Sequence, residues 1–170
     1  MSSIFGTKEG LIARTGTIAW GQIRTLYETA LNHIEPPELE RASLWITSPL
    51  DDSKHPEMFE ELLPVLKVLA SKSTGKMLFS FSRDLKPHLQ KHPIECLEIF
   101  EIVTSQDSRK LIEDWDASRL GIDSTAEALQ ELDPSVPKEH RERLKKCIEG
   151  LAQPELGNPI AQKHLLKFVL

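Results

Sequence analysis

The chain has 170 residues, 39% of them apolar and 28% charged, with a formal net charge of −5 and a pI near 5.7. That length suits one folded domain with enough chain to bury a core, and the mixed charges exclude the one-sided composition of a disordered segment. Lys and Arg form no stripe longer than a few residues, which argues against nucleic acid as a partner.

Nothing in the sequence resembles an apolar run of about 18 residues, so no membrane span is expected. The opening Met1-Ser2-Ser3-Ile4-Phe5-Gly6 lacks the basic flank and apolar stretch of a signal peptide, and the protein is expected to be cytoplasmic. The two cysteines, Cys96 and Cys147, have no CxxC or Cys/His spacing. They are expected to be reduced core residues.

In chain order, residues 1–15 carry little periodicity and are expected to form a flexible arm, with one α-helical domain over 16–170. Trp20, Ile23, Leu26, Tyr27, Ala30, Leu31 and Ile34 then recur at three- and four-residue steps, the stripe of a helix packed on one side. Pro36-Pro37 should end it, and a shorter helix follows from Glu38 to about Thr47. His55-Pro56 opens a third helix, with Glu57, Glu60 and Glu61 where the helix dipole favours negative charge. Pro64 falls inside its apolar face and should bend it.

Lys76-Met77-Leu78-Phe79-Ser80-Phe81 alternates enough to resemble a strand, but no partner strand is visible and a helix is expected. His92-Pro93 opens another amphipathic run, 37 positions after the first His-Pro, with Glu95, Glu98 and Glu101 opposite its apolar side. A short helix around Leu111, Ile112 and Trp115 comes next. Ser124 with Glu127 forms a capping-box pattern, predicting a helix start there. Pro134 and Pro137 frame a further helix that ends at Gly150 or the following Pro154. Asn158-Pro159 reads as an N-cap and first-turn proline opening the last one. The apolar ending Leu165-Leu166-Lys167-Phe168-Val169-Leu170 is that of a docked terminal helix or of a fragment of a longer polypeptide.

Glu61-Leu62-Leu63-Pro64-Val65-Leu66-Lys67-Val68-Leu69 resembles the first helix of a HEAT repeat, and the resemblance covers roughly residues 55–105. The 37-residue echo of His-Pro is the period of paired-helix solenoids. The expected fold is all-α: antiparallel helix pairs forming a degenerate HEAT-like repeat or an irregular helical bundle. The resemblance implies a non-catalytic scaffold that presents a face to another protein or to another domain of the same chain.

The acidic residues Glu57, Glu60, Glu95, Glu98 and Glu101 are the candidate partner-binding set; the competing reading makes them solvated faces of amphipathic helices. Trp20, Trp45 and Trp115 lie within or beside apolar stripes and are expected in the core. The sharpest catalytic pattern is Arg83-Asp84-Leu85-Lys86-Pro87-His88, which resembles the motif of the HEPN ribonucleases. That resemblance implies metal-independent RNA cleavage, with His88 moving a proton and Arg83 stabilising charge on phosphate. Pro87 opposes it by disrupting the helix that would carry both side chains. His88 and His92 also have the i, i+4 spacing of a metal-binding pair, without the acidic signature of a zinc protease. Gly75 and Gly121 do not lie in a P-loop, because Gly75-Lys76 is followed by Met77 and position 70 is alanine. No cofactor or metal is expected.

Overall fold

The computed structural model describes residues 20–47, 50, 58–112 and 115–169. The expected N-terminal arm, Glu57 and the His55-Pro56 opening lie outside the described residues, as do the side chains of Trp20, Trp45 and Trp115. The described residues form nine α-helices and no strand: α1 (Trp20–His33), α2 (Pro36–Thr47), α3 (Met58–Lys72), α4 (Gly75–Leu85), α5 (Pro93–Thr104), α6 (Ser108–Leu111), α7 (Trp115–Leu132), α8 (Arg141–Ala152) and α9 (Pro159–Val169). The fold is all-α, and none of these helices is long and apolar enough to cross a membrane.

Local chemistry accounts for most boundaries. Pro36 and Pro37 open α2, where a missing N–H leaves no ladder bond unmade. Pro93 likewise opens α5 behind His92. Asp107 caps α6 by accepting the Arg109 amide at 3.0 Å, and Asn158 caps α9 by accepting the Ala161 amide at 2.9 Å. Residues 76–81 are helical throughout, and α3 continues through Pro64, which sits on its exposed side.

The start near Ser124 differs from the sequence expectation: Ser124 does not cap a helix but is buried in the middle of α7, which runs unbroken from Trp115. Packing against α4 holds that segment helical, with Gly121 at the contact. Helix α8 ends at Ala152, just ahead of Pro154, the second of the two expected stops. Gly150 lies inside it, where an added Cβ would come 3.0 Å from the Thr104 carbonyl oxygen.

Side-chain links between helices define the arrangement. Arg24 pairs with Glu61 at 3.7 Å and Lys72 Nζ donates to the Leu31 carbonyl at 2.6 Å, placing α1 beside α3. Lys67 with Glu98 at 2.5 Å and Gln106 Nε2 with the Ala70 carbonyl at 2.6 Å place α3 beside α5. Arg143 with Glu101 at 2.6 Å places α5 beside α8.

A second row is linked in the same way. Thr47 donates to Asp84 at 2.7 Å between α2 and α4. Ser82 and Thr125 hydroxyls meet at 2.8 Å between α4 and α7. Asn158 donates to Asp123 at 2.6 Å, and His164 Nε2 lies 2.8 Å from Asp133, between α7 and the α9 end. Early residues meet early residues in every link, so neighbours within a row run in the same direction. The hydrogen-bonded links span 31 to 45 positions of sequence.

The core is continuous from Tyr27 on α1 to Ala161 on α9, and Phe59, Phe81 and Phe100 are fully buried. The tightest joint is α4 against α7. A Cβ added to Gly121 would lie 1.8 Å from the Gly75 carbonyl oxygen, and one added to Gly75 would lie 1.9 Å from the Leu111 carbonyl oxygen. Gly121 thus meets the α4 backbone, and Gly75 meets the backbone at the end of α6 together with Ser118 of α7, which is the reason for these two glycines.

Candidate functional site

On α5, Glu98, Glu101, Ile102 and Ser105 recur at three- and four-residue steps and so share one stripe. Lys67 of α3 closes one side of that stripe and Arg143 of α8 the other, forming an open groove of about 520 Å³. Lys67 Nζ donates to Glu98 Oε2 at 2.5 Å. Arg143 grips Glu101 with Nε at 2.8 Å and Nη2 at 2.6 Å, a bidentate geometry that fixes the guanidinium. The Glu101 hydrogen bond raises the Arg143 pKa above its ordinary value.

The four charged side chains are each about one-third exposed, between 33% and 38%. At that exposure such pairs contribute about 0–1 kcal/mol each, and their main effect is to hold three helices in register. The groove therefore presents two cations, two anions, one hydroxyl and one aliphatic side chain.

Of the acidic residues selected from sequence, the structure brings only Glu98 and Glu101 into this groove. Glu95 lies a turn earlier on α5 and is half-buried. Glu60 lies on the first turn of α3, 3.9 Å from His92 Nδ1. Glu98 and Glu101 are thus each balanced by a cation from a neighbouring helix. Lys67, Ile102, Ser105 and Arg143 are the groove residues that sequence reasoning missed; the available signal was opposite charge recurring 31 and 42 positions away.

Arg83 and His88 have separate partners. The Arg83 Nε donates to Asp84 at 3.0 Å, and Asp84 itself is buried against Thr47. His88 lies beyond the end of α4 in a 3₁₀ turn over Lys86–His88. Its Nε2 is 2.6 Å from the Leu50 carbonyl, and its ring stacks on Phe59 with centroids 4.5 Å apart. His92 stacks on the same phenyl ring at 4.7 Å, so both imidazoles of the i, i+4 pair serve as aromatic packing.

Among the described residues no group of three or more His, Cys, Asp or Glu could hold a metal ion. Both cysteines are free and buried. Burial, then the Glu95 charge, pushes the Cys96 thiol up to about 12; burial also pushes Cys147 up to about 11. Neither is a thiolate near neutral pH, the form that nucleophilic chemistry requires. No family model matches the chain, and no curated protein or solved structure matches it.

Proposed function

We propose that this chain is a non-catalytic protein–protein interaction scaffold of the cytoplasm, built from HEAT-like helix pairs, with a partner polypeptide or another domain of its own chain seated in the groove over α3, α5 and α8. The observation that carries this reading is the pair of helix rows. Helices α1, α3, α5 and α8 lie in one row and α2, α4, α7 and α9 in the other, linked by contacts whose 31 to 45 position spacing brackets the 37-residue His-Pro echo. Stacked pairs bury a continuous core and leave long faces for docking. Two reduced, buried cysteines fit a reducing compartment.

The test exchanges charges without removing the joint. Glu101→Arg with Arg143→Glu keeps an ion pair between α5 and α8 while inverting its pattern, and Ile102→Asp alters the groove floor. Both variants are expected to keep the wild-type far-UV spectrum and to lose the captured partner in a pull-down. Undiminished capture by both would remove the groove from the proposal.

A further inference from the structure

The turn from α8 into α9 closes a cavity of about 220 Å³ against one side of α7. Gly157 takes φ 55° there, a left-handed conformation that suits glycine, and the chain reverses so that Leu156 and Asn158 join Ile112, Arg119, Ile122 and Asp123 around the space. Arg119, Ile122 and Asp123 are three and four positions apart, which puts them on a single side of α7. Ile122 and Leu156 are buried, Ile112 is half-buried and Arg119 is exposed. The cavity thus has an apolar floor and a cation at its mouth.

The two charges of this wall are held apart. Asn158 is 3% exposed, and its Oδ1 accepts the Ala161 amide at 2.9 Å. That bond fixes which way the side-chain amide points, so Nδ2 donates to Asp123 Oδ1 at 2.6 Å and holds the carboxylate toward the α8–α9 turn. Arg119 and Asp123 have the same order and i, i+4 spacing as Lys145 and Glu149, which close to 3.6 Å on α8. Arg119, by contrast, has no ion pair or hydrogen bond among the described residues. Asp116, exposed one turn before Arg119, makes no ion pair with it and does not line the cavity. One wall of an apolar cavity therefore carries a free guanidinium and a carboxylate with its second oxygen to spare.

We infer that this cavity binds a free α-amino acid with a small aliphatic side chain: Arg119 holds its carboxylate, Asp123 its ammonium group, and Ile112, Ile122 and Leu156 its side chain. Side chains four apart on a helix have Cβ atoms about 5–6 Å apart, a gap that a carboxylate and an ammonium on one carbon can bridge. The fork of an arginine matches the two carboxylate oxygens. A simple anion would meet the Asp123 carboxylate and a simple cation the Arg119 guanidinium, so the balanced wall selects a zwitterion. The volume lies below the about 300–1,000 Å³ of sites for drug-sized ligands, which suits a small metabolite over a nucleotide. The cavity shares no residue with the groove over α3, α5 and α8, and this inference is independent of the scaffold reading.

The experiment titrates the full chain with L-leucine and L-valine by isothermal calorimetry, alongside N-acetyl-leucine, which lacks the ammonium, and leucinamide, which lacks the carboxylate. Saturable binding of a free amino acid is expected, with Kd below about 1 mM and weakened about tenfold or more by either blocking group. Arg119→Gln and Asp123→Asn are expected to weaken it to the same extent, while Arg41→Gln on α2 leaves it unchanged. Asp123→Asn retains an oxygen that can accept from Asn158 and should keep the wild-type urea midpoint; the blocked ligands probe the same two contacts on the unaltered chain. No saturation by either amino acid up to about 10 mM, equal affinity for a blocked ligand, or binding that survives both pocket substitutions overturns the inference. None of these outcomes bears on partner capture by the groove variants.

Discussion

Gly121→Ala tests the packing that sets α4 against α7. The new methyl would sit 1.8 Å from the Gly75 carbonyl oxygen and 3.1 Å from Leu78 Cβ, and backbone cannot rotate away as a flexible side chain would. Restoring an ordinary carbon–oxygen distance requires the helices to part by more than an ångström along much of their contact, which also strains the Ser82–Thr125 bond. Overpacking of this kind costs about 1–3 kcal/mol and more where backbone is the obstacle, against about 1 kcal/mol gained from alanine's helix propensity. A net loss of about 2–4 kcal/mol is expected. With a urea m-value of about 2 kcal/mol/M, the midpoint followed by far-UV circular dichroism falls by about 1–2 M. Gly21→Ala is the control, because nothing lies within 4 Å of its added Cβ; its midpoint should be unchanged or higher. Equal midpoints for Gly121→Ala and wild type would refute the close crossing.

Four further outcomes follow from the same contacts. Neither cysteine should react with iodoacetamide at pH 8 in the folded chain, and both should react in urea; stoichiometric native labelling would contradict their burial. Because both thiol pKa values are raised above 9.0 by folding, the stability they confer is complete below that value and is lost as pH rises through 11 and 12, so alkaline titration of the urea midpoint should fall in that window. Asn158→Ala removes the α9 cap and the Asp123 link, and should cost about 1–2 kcal/mol in urea unfolding; a change under 0.3 M in midpoint would deny the cap. His88→Ala removes a ring stack on Phe59 and a bond to the Leu50 carbonyl, and should lower stability by about 1–2 kcal/mol. It should leave any RNA turnover of the preparation identical to wild type, and a selective loss of turnover would restore the ribonuclease reading.

Helix content was legible because apolar spacing and proline punctuation are local signals. Pro93, Asn158-Pro159 and the stripe from Met58 to Leu69 each specified an element without help from distant chain. Ser124 shows where local reading fails. Its capping-box spacing is sound chemistry, yet the neighbouring Gly121 and Thr125 sit in a run of small residues needed for the α4 crossing, and tertiary packing carried the helix straight through. Gly75 and Gly121 belong to no phosphate-binding pattern, and their pairing across 46 positions, which the fold requires, leaves no local mark. The groove was half legible: Glu98 and Glu101 stand out on α5, but no local pattern reveals that Lys67 and Arg143 occupy their carboxylates. Charge on one helix says nothing of the helix packed beside it.

The proposed role, holding a partner protein, is tested most directly by gel filtration of the purified full chain after incubation with lysate from its source cells, with protein identified by mass spectrometry and nucleic acid by staining. The scaffold reading predicts a complex containing one other protein in stoichiometric amount, lost by the groove variants that keep the wild-type urea midpoint. A chain that elutes alone, or with RNA that shortens over time, would contradict it.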